Sequence, residues 1–329
     1  MKLLDRFLAG DRTALSRVIT LLENDRDRRS AMLDVLYPRS GKARRIGITG
    51  PPGSGKSTLA DRLTARLRKS GRTVGIIAVD PTSPFTGGAL LGDRLRMQGS
   101  WDDPQVFMRS QADRSHSGGL SEATPYAMTA LDAFGKDVII VETVGVGQST
   151  LDVTDVSDTT VVLLTPESGD SVQAMKAGLM EIADVLVVNK SDREGADRFA
   201  SELKMIVDMG RWEEGWKPPV LSASARDDTG IDGLYERLDA HADYLAGEGR
   251  LQARRLRQGR SAIEKALGEW WHGRLTVLRD AGDAMDRLSE RVACRELSPL
   301  AAAREMMEGI EDHGGKHTGS RRQTGPGRP

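Results

Sequence analysis

The chain predicts an α/β fold, a mostly parallel sheet with helices on both faces, and three observations carry that prediction. Short Val/Ile-rich runs, apolar at successive rather than alternate positions, recur from residue 45 to residue 221. Between them lie stretches whose apolar residues return at helical spacing. The first run passes through a glycine-rich turn directly into such a stretch. Strands apolar on both sides must be covered on both sides, and helices between them supply the cover.

The candidate strands are 45–49, 74–79, 106–109, 138–142, 160–164, 185–189 and 220–221. The amphipathic stretches are 59–69, 121–134, 171–182, 196–209 and 231–245. Ahead of them Leu3, Leu4, Phe7 and Leu8, then Leu15, Val18, Ile19 and Leu22, mark two short helices with Asp11 as a cap between them. Residues 1–40 therefore read as a helical extension packed on a main domain of residues 41–247. Residues 248–313 carry no strand signal. They hold Arg250, Arg254, Arg255, Arg257 and Arg260 on what reads as a solvated helix face, followed by apolar stripes with Trp270 and Trp271. Those stripes suit either the core of a small helical subdomain or an oligomer interface. Residues 314–329 are poor in apolar side chains and read as a disordered tail.

The 329 residues carry a formal charge of −1, so no global field favours nucleic acid or an anionic membrane. Cys294 is the only cysteine, which excludes an internal disulfide and points to a reducing compartment. Charges interrupt the apolar residues at the N-terminus, and no run approaches membrane-spanning length. The expectation is a cytoplasmic protein.

The first turn reads Gly50-Pro-Pro-Gly53-Ser54-Gly55-Lys56-Ser57-Thr58. Its glycines let backbone N–H groups curl around an anion, and the following helix adds its positive end. Strand, loop and helix are the context that a phosphate-binding P-loop requires. Lys56 is expected on the β- and γ-phosphates and Ser57 on Mg²⁺. A second motif, Asn189-Lys190-Ser191-Asp192, ends another strand. The Asp192 carboxylate accepts from guanine N1–H and the 2-amino group, whereas adenine offers a bare acceptor there. Lys190 is expected along the base and Asn189 on the P-loop. Ser222-Ala223 is the expected further base-side loop, giving N–H groups to the guanine oxygen.

A third site is the strand end Glu142-Thr143-Val144-Gly145. Glu142 suits a contact to Mg²⁺, and the Gly145 N–H suits the γ-phosphate. Val146 follows, where small GTPases carry a glutamine that orients water, so slow intrinsic hydrolysis is expected. Asp80, at the end of the second strand, and Asp93, in a glycine-rich loop, are candidates for the rest of the metal shell or for a switch. Arg109 and Arg114 belong to a loop facing phosphate, a partner or solvent. Strands place these motifs after their carboxyl ends, where α/β sheets bind ligands.

Together the residues resemble the MeaB/ArgK group, the methylmalonyl-CoA mutase-associated P-loop GTPases. The likeness lies in residues 47–58, 79–97, 142–149, 166–184 and 189–192, with E-T-V-G-V-G-Q-S and the G-G-x-x-L-G-D segment far more specific than the P-loop. The resemblance implies Mg²⁺-dependent hydrolysis of GTP to GDP that gates cofactor loading and reactivation of an adenosylcobalamin-dependent acyl-CoA mutase. It implies a homodimer joined through the C-terminal arm, and metal-contacting carboxylates at Asp80, Asp93 and Glu142. It places a partner-responsive switch at 169–176, with Asp170, Gln173 and Lys176. Ser115 departs from the glycine expected after Arg114. Two rivals remain. A metal-inserting GTPase would want a Cys/His cluster; His116 reads as a loop residue, and His241, His272, His313 and His317 form no metal spacing with Cys294. A kinase of a transport-system protein would need a base beside an acceptor hydroxyl.

Overall fold

The computed structural model describes residues 2–81, 103–113, 120–143, 153–166, 178–210, 212, 215–280 and 283–314. Seven strands among them form one sheet: β1 Arg44–Thr49, β2 Val74–Pro81, β3 Val106–Asp113, β4 Val138–Glu142, β5 Thr159–Leu164, β6 Val185–Val188 and β7 Val220–Ser222. Their order is β3-β2-β4-β1-β5-β6-β7, and every pairing is parallel. Ten helices accompany them among the described residues: α1 Lys2–Leu8, α2 Arg12–Asn24, α3 Arg26–Leu36, α4 Lys56–Lys69, α5 Thr124–Ala133, α6 Ala196–Met209, α7 Ile231–Ala246, α8 Arg250–Asp280, α9 Asp283–Ala293 and α10 Pro299–Gly314.

The period-2 pleat divides each strand between two cores. Ile46, Ile48, Ile76, Ile140 and Leu163 pack under α4 and α7, against Leu59, Leu63, Leu234 and Leu238. On the other face Ile77, Val79, Ile139 and Val141 meet α2 and α5 through Leu15, Ile19, Met128 and Leu131. Farther along that face Val162, Leu164, Leu186 and Val188 meet α6 through Phe199 and Leu203. Full burial of each such side chain is worth about 1.5–3 kcal/mol, which explains the apolar residues at successive positions in the middle of β2, β4, β5 and β6.

The N-terminal helices are part of the second of these cores. Asp11 caps α2, accepting from Thr13 N–H at 2.8 Å and Ala14 N–H at 3.2 Å. Arg109 lies in β3, as the candidate strand 106–109 has it, but its guanidinium is ion-paired with Glu23 of α2, which corrects the alternative of a loop residue facing phosphate or solvent. No helix among the described residues is long and apolar enough to cross a membrane.

The chain divides into two compact units, residues 1–259 and 260–329. In the second, α9 and α10 are joined by an Arg291–Glu305 ion pair at 2.8 Å, and the Trp270 and Trp271 rings stack at 5.8 Å.

At the amino edge of the sheet His241 of α7 is buried, its Nδ1 2.9 Å from Thr159 Oγ1. Burial pushes this imidazole down to about 4, the nearby Arg254 and Arg44 act in the same direction, and Asp184 and Asp158 oppose it. Asp184 lies 3.4 Å from Nε2 but is already gripped by Arg254, so it does not recover the charge. Between pH 6.5 and 4 the unfolded chain binds a proton that the folded one does not, so stability falls as pH falls through that window. From pH 7.5 to pH 5 the loss from this residue is expected to be about 2 kcal/mol. Urea unfolding of the wild type and of His241→Gln at both pH values measures it; equal slopes against pH would contradict the assignment.

Candidate functional site

The carboxyl edge of the sheet gathers the P-loop, the end of β4 and the loops after β6 and β7. In the P-loop Gly50, Gly53 and Gly55 all have positive φ, at 149°, 73° and 93°. A β-carbon on Gly50 would collide with the Leu163 carbonyl, and one on Gly55 with the Asn189 side-chain amide. Glycine is therefore demanded twice over, by backbone conformation and by close approach. The turn opens directly into α4, whose first-turn N–H groups have no acceptor within the helix and no side-chain cap. Ser54 Oγ is buried and finds no hydrogen-bond partner among the described residues. Lys56 is buried too, and its ammonium donates to the carbonyls of Gly50 at 3.0 Å and Pro51 at 3.1 Å. The cation is thus folded back onto two carbonyls of its own loop. Thr58 sits half-buried at the third position of α4.

Ser57 and Glu142, 85 residues apart, meet here: the Ser57 hydroxyl donates to Glu142 Oε1 at 2.7 Å, and both residues are buried. The parallel register sets this up, because β1 lies beside β4 with Ile48 opposite Glu142. The edge is fastened again by Thr143, whose N–H donates to Ile48 O at 3.1 Å and whose hydroxyl donates to Thr49 Oγ1 at 2.9 Å. Asp80 is placed by its backbone at the same edge, two residues beyond Ala78, which pairs with Glu142. Asp93, Arg114, Ser115, His116, Val144, Gly145, Val146 and the 169–176 segment lie outside the described residues, as do most of the 171–182 helix and the tail beyond residue 314.

Asn189 is the tie between the two halves of the cleft. Its Nδ2 donates to Ser54 O at 2.7 Å, and its Oδ1 accepts from Ala225 N–H at 3.1 Å. Lys190 next to it takes a left-handed φ of 58°, which turns the chain sharply off β6. Asp192 Oδ1 accepts from Ser224 Oγ at 3.0 Å, and Arg226 lies 3.3 Å from Oδ2.

These contacts correct the expected base-side dipeptide. Ser222 is the last residue of β7, paired with Val188, and the N–H of fully buried Ala223 is spent on Val188 O at 2.9 Å. Ala223 therefore has no N–H left for a base. The dipeptide that touches Asn189 and Asp192 is Ser224-Ala225, two residues on. The sequence holds Ser-Ala twice in succession, and only the length of β7 chooses between the copies. Arg62 of α4 then secures the loop, donating to Ala225 O at 3.1 Å.

A glycine turn opening into a helix that begins with a buried lysine, a serine–carboxylate pair beside it and an Asn/Asp loop tied to it on a seven-stranded parallel sheet are the arrangement of the P-loop nucleotide hydrolases. Comparison with known proteins names the family: residues 15–271 match the model for the methylmalonyl-CoA mutase-associated GTPase MeaB, and the chain belongs to that family. It is 45% identical over 312 residues to a Pyrococcus abyssi protein named "Putative GTPase", covering 94% of this chain and 96% of that one. It is 35% identical to the GTPase ArgK of Escherichia coli, covering 93% and 95% of the two chains. A solved structure described as a LAO/AO transport system kinase superposes with a TM-score of 0.70 at 30% identity, over 94% of this chain and 97% of that one. The protein is a GTPase that binds guanine nucleotide.

Proposed function

We propose that this chain hydrolyses Mg²⁺-bound GTP in the cleft between the P-loop and the base loop, and uses the cycle to escort an adenosylcobalamin-dependent acyl-CoA mutase. The observation that carries the first half is the Ser57–Glu142 hydrogen bond, joined through the P-loop and Asn189 to the Asp192 loop. Magnesium prefers hard oxygen ligands, and an alcohol and a carboxylate 2.7 Å apart at the mouth of an anion cradle suit it. Bound there, the ion would neutralise charge developing on the phosphates. Ser57 and Glu142 would hold it, with Asp80 and Asp93 as the remaining candidate ligands. Lys56 stabilises the β- and γ-phosphates, and the first-turn N–H groups of α4 fix their orientation. Asp192 selects the base. Val146 offers no hydrogen bond to an attacking water, so turnover of the isolated protein is slow and rises when a partner supplies that group.

The mutase half rests on the family description and on a mouse relative named methylmalonic aciduria type A homolog, 34% identical over 270 residues. The apolar residues Ile263, Leu267, Trp270 and Trp271 of α8, all exposed, support a homodimer joined through this arm. Two measurements test the whole. Labelled GTP should yield inorganic phosphate rather than a labelled protein, which separates a GTPase from a kinase. An acyl-CoA mutase should raise that turnover and take up cobalamin in a GTP-dependent manner; turnover indifferent to the mutase would remove the escort role.

A further inference from the structure

The first turns of α8 fasten the returning ends of two connections that leave the nucleotide edge. β4 and β5 flank β1 on its two sides, so the connections after them start beside the P-loop. Both come back to the amino edge of the sheet. The first ends on Asp158, whose N–H donates to Arg45 O at 2.8 Å, and the second on Asp184, whose N–H donates to Thr160 O at 2.9 Å. Each landing carboxylate is gripped by a guanidinium fork from α8. Arg255 bonds Asp158 at 3.1 and 2.9 Å, and Arg254 bonds Asp184 at 3.0 and 2.8 Å. One turn on, Gln258 Nε2 donates to the carbonyls of Thr154 and Ser157, both at 2.7 Å, while its Oε1 accepts from Arg45 at 2.7 Å. The turn so held presses Val153 onto Gly47 of β1, where a β-carbon would clash.

This half of the arginine-rich segment is therefore not a solvated face, as its composition predicts; Arg257 and Arg260 are exposed, but Arg254, Arg255 and Gln258 point into the sheet edge. Arg45 and Arg255 share the neutralisation of Asp158. Burial alone would raise that carboxyl, and Arg255 and Arg45 together hold it below the usual range. Arg45 already supplies two side-chain bonds, at 3.1 and 2.5 Å, and a backbone N–H bond at 3.0 Å. Buried ion pairs add little net stability, and fixing register is their best-attested use. Two adjacent bidentate forks, with a glutamine one turn on, set the helix and both landing points in one geometry.

We propose that Arg254, Arg255 and Gln258 are positioning residues for the GTPase cycle: by setting where the connections after β4 and β5 land, they bias the site between its GTP-bound and GDP-bound arrangements. The proposal rests on placing the nucleotide at the carboxyl edge. None of the three touches the nucleotide; they act from the opposite edge of the sheet. Such a bias must appear as differential affinity, because a ligand shifts an equilibrium only by the difference in its binding to the two states.

The experiment uses full-length Arg254→Lys and Gln258→Leu. Arg254→Lys keeps the charge and loses the fork, and Gln258→Leu keeps much of the volume and loses the bonds. GDP and a non-hydrolysable GTP analogue are titrated by fluorescence, and kcat and the thermal midpoint are measured alongside. The expected result is GDP affinity within about twofold of wild type, an analogue-to-GDP affinity ratio moved by about fivefold or more, and a kcat that moves with it. A lowered midpoint with ratio and kcat unmoved means a purely structural role and overturns the proposal. If Arg254→Lys does not fold, Gln258→Leu decides alone by the same criteria. Lys56→Ala serves as the control for placement: if it binds nucleotide as tightly as wild type, the nucleotide is elsewhere and both readings fall. If it does not, an unmoved ratio in the α8 variants overturns this proposal only.

Discussion

Lys56→Ala is expected to remove detectable GTP hydrolysis and to weaken nucleotide binding by about 30-fold to several-thousand-fold, the 2–5 kcal/mol typical of truncating one partner of a buried charge pair. The reason lies in how the side chain is held. Its ammonium is buried within the loop and bonded to the carbonyls of Gly50 and Pro51, so no solvent-borne cation takes its place when it is removed. Backbone dipoles and the magnesium ion are then left to balance the phosphates without the side-chain cation. The fold should be untouched, because the packing of α4 rests on Leu59, Leu63 and Leu67 rather than on its first residue. Phosphate release and nucleotide titration measure both effects, with circular dichroism as the fold control. Unchanged turnover would reject the phosphate-binding assignment.

The second large effect is a change of base preference. Asp192→Asn puts an amide N–H where the carboxylate accepted from guanine, so GTP affinity is expected to drop about 10- to 150-fold, the 1.5–3 kcal/mol of a hydrogen bond to a charged group. Xanthine carries an oxygen where guanine carries the 2-amino group, and the new amide can donate to it. XTP should therefore bind the variant better than it binds the wild type, with the same dependence on magnesium. Ser224 Oγ donates to Asp192 Oδ1 at 3.0 Å, and the amide oxygen of an asparagine can accept the same bond, which would keep the amide in the carboxylate's place. GTP selectivity that persists in Asp192→Asn would mean that the base lies elsewhere.

Most of the sheet was legible because buried parallel strands must be apolar throughout. Predicted and observed strands 74–79 and Val74–Pro81, or 160–164 and Thr159–Leu164, differ only at their ends, where hydrogen bonding rather than composition sets the boundary. The P-loop and the Asn189–Asp192 loop were legible for a different reason: anion cradling and base selection demand particular residue types at short, local spacing. Contacts between distant positions were not. Ser222-Ala223 and Ser224-Ala225 are equivalent as text, and the pairing of Ser222 with Val188 separates them. Arg109 in a glycine-containing segment reads as solvent- or phosphate-facing until Glu23 of α2 is found beside it. Arg254 and Arg255 read as surface charge until Asp184 and Asp158 meet them.

By itself the sequence determined the α/β class, the strand set, the glycine turn between β1 and α4 and the place of the Asn189–Asp192 segment at a strand end, since each is written in neighbouring residues. Tertiary structure alone decided that Ser57 bonds Glu142, that Asn189 bridges Ser54 to Ala225, and that the root of α8 grips both returning connections. The reason is physical: periodicity and motif spacing record what a residue does with its chain neighbours, whereas these bonds depend on strand order and parallel register, which emerge only when the sheet closes its ranks.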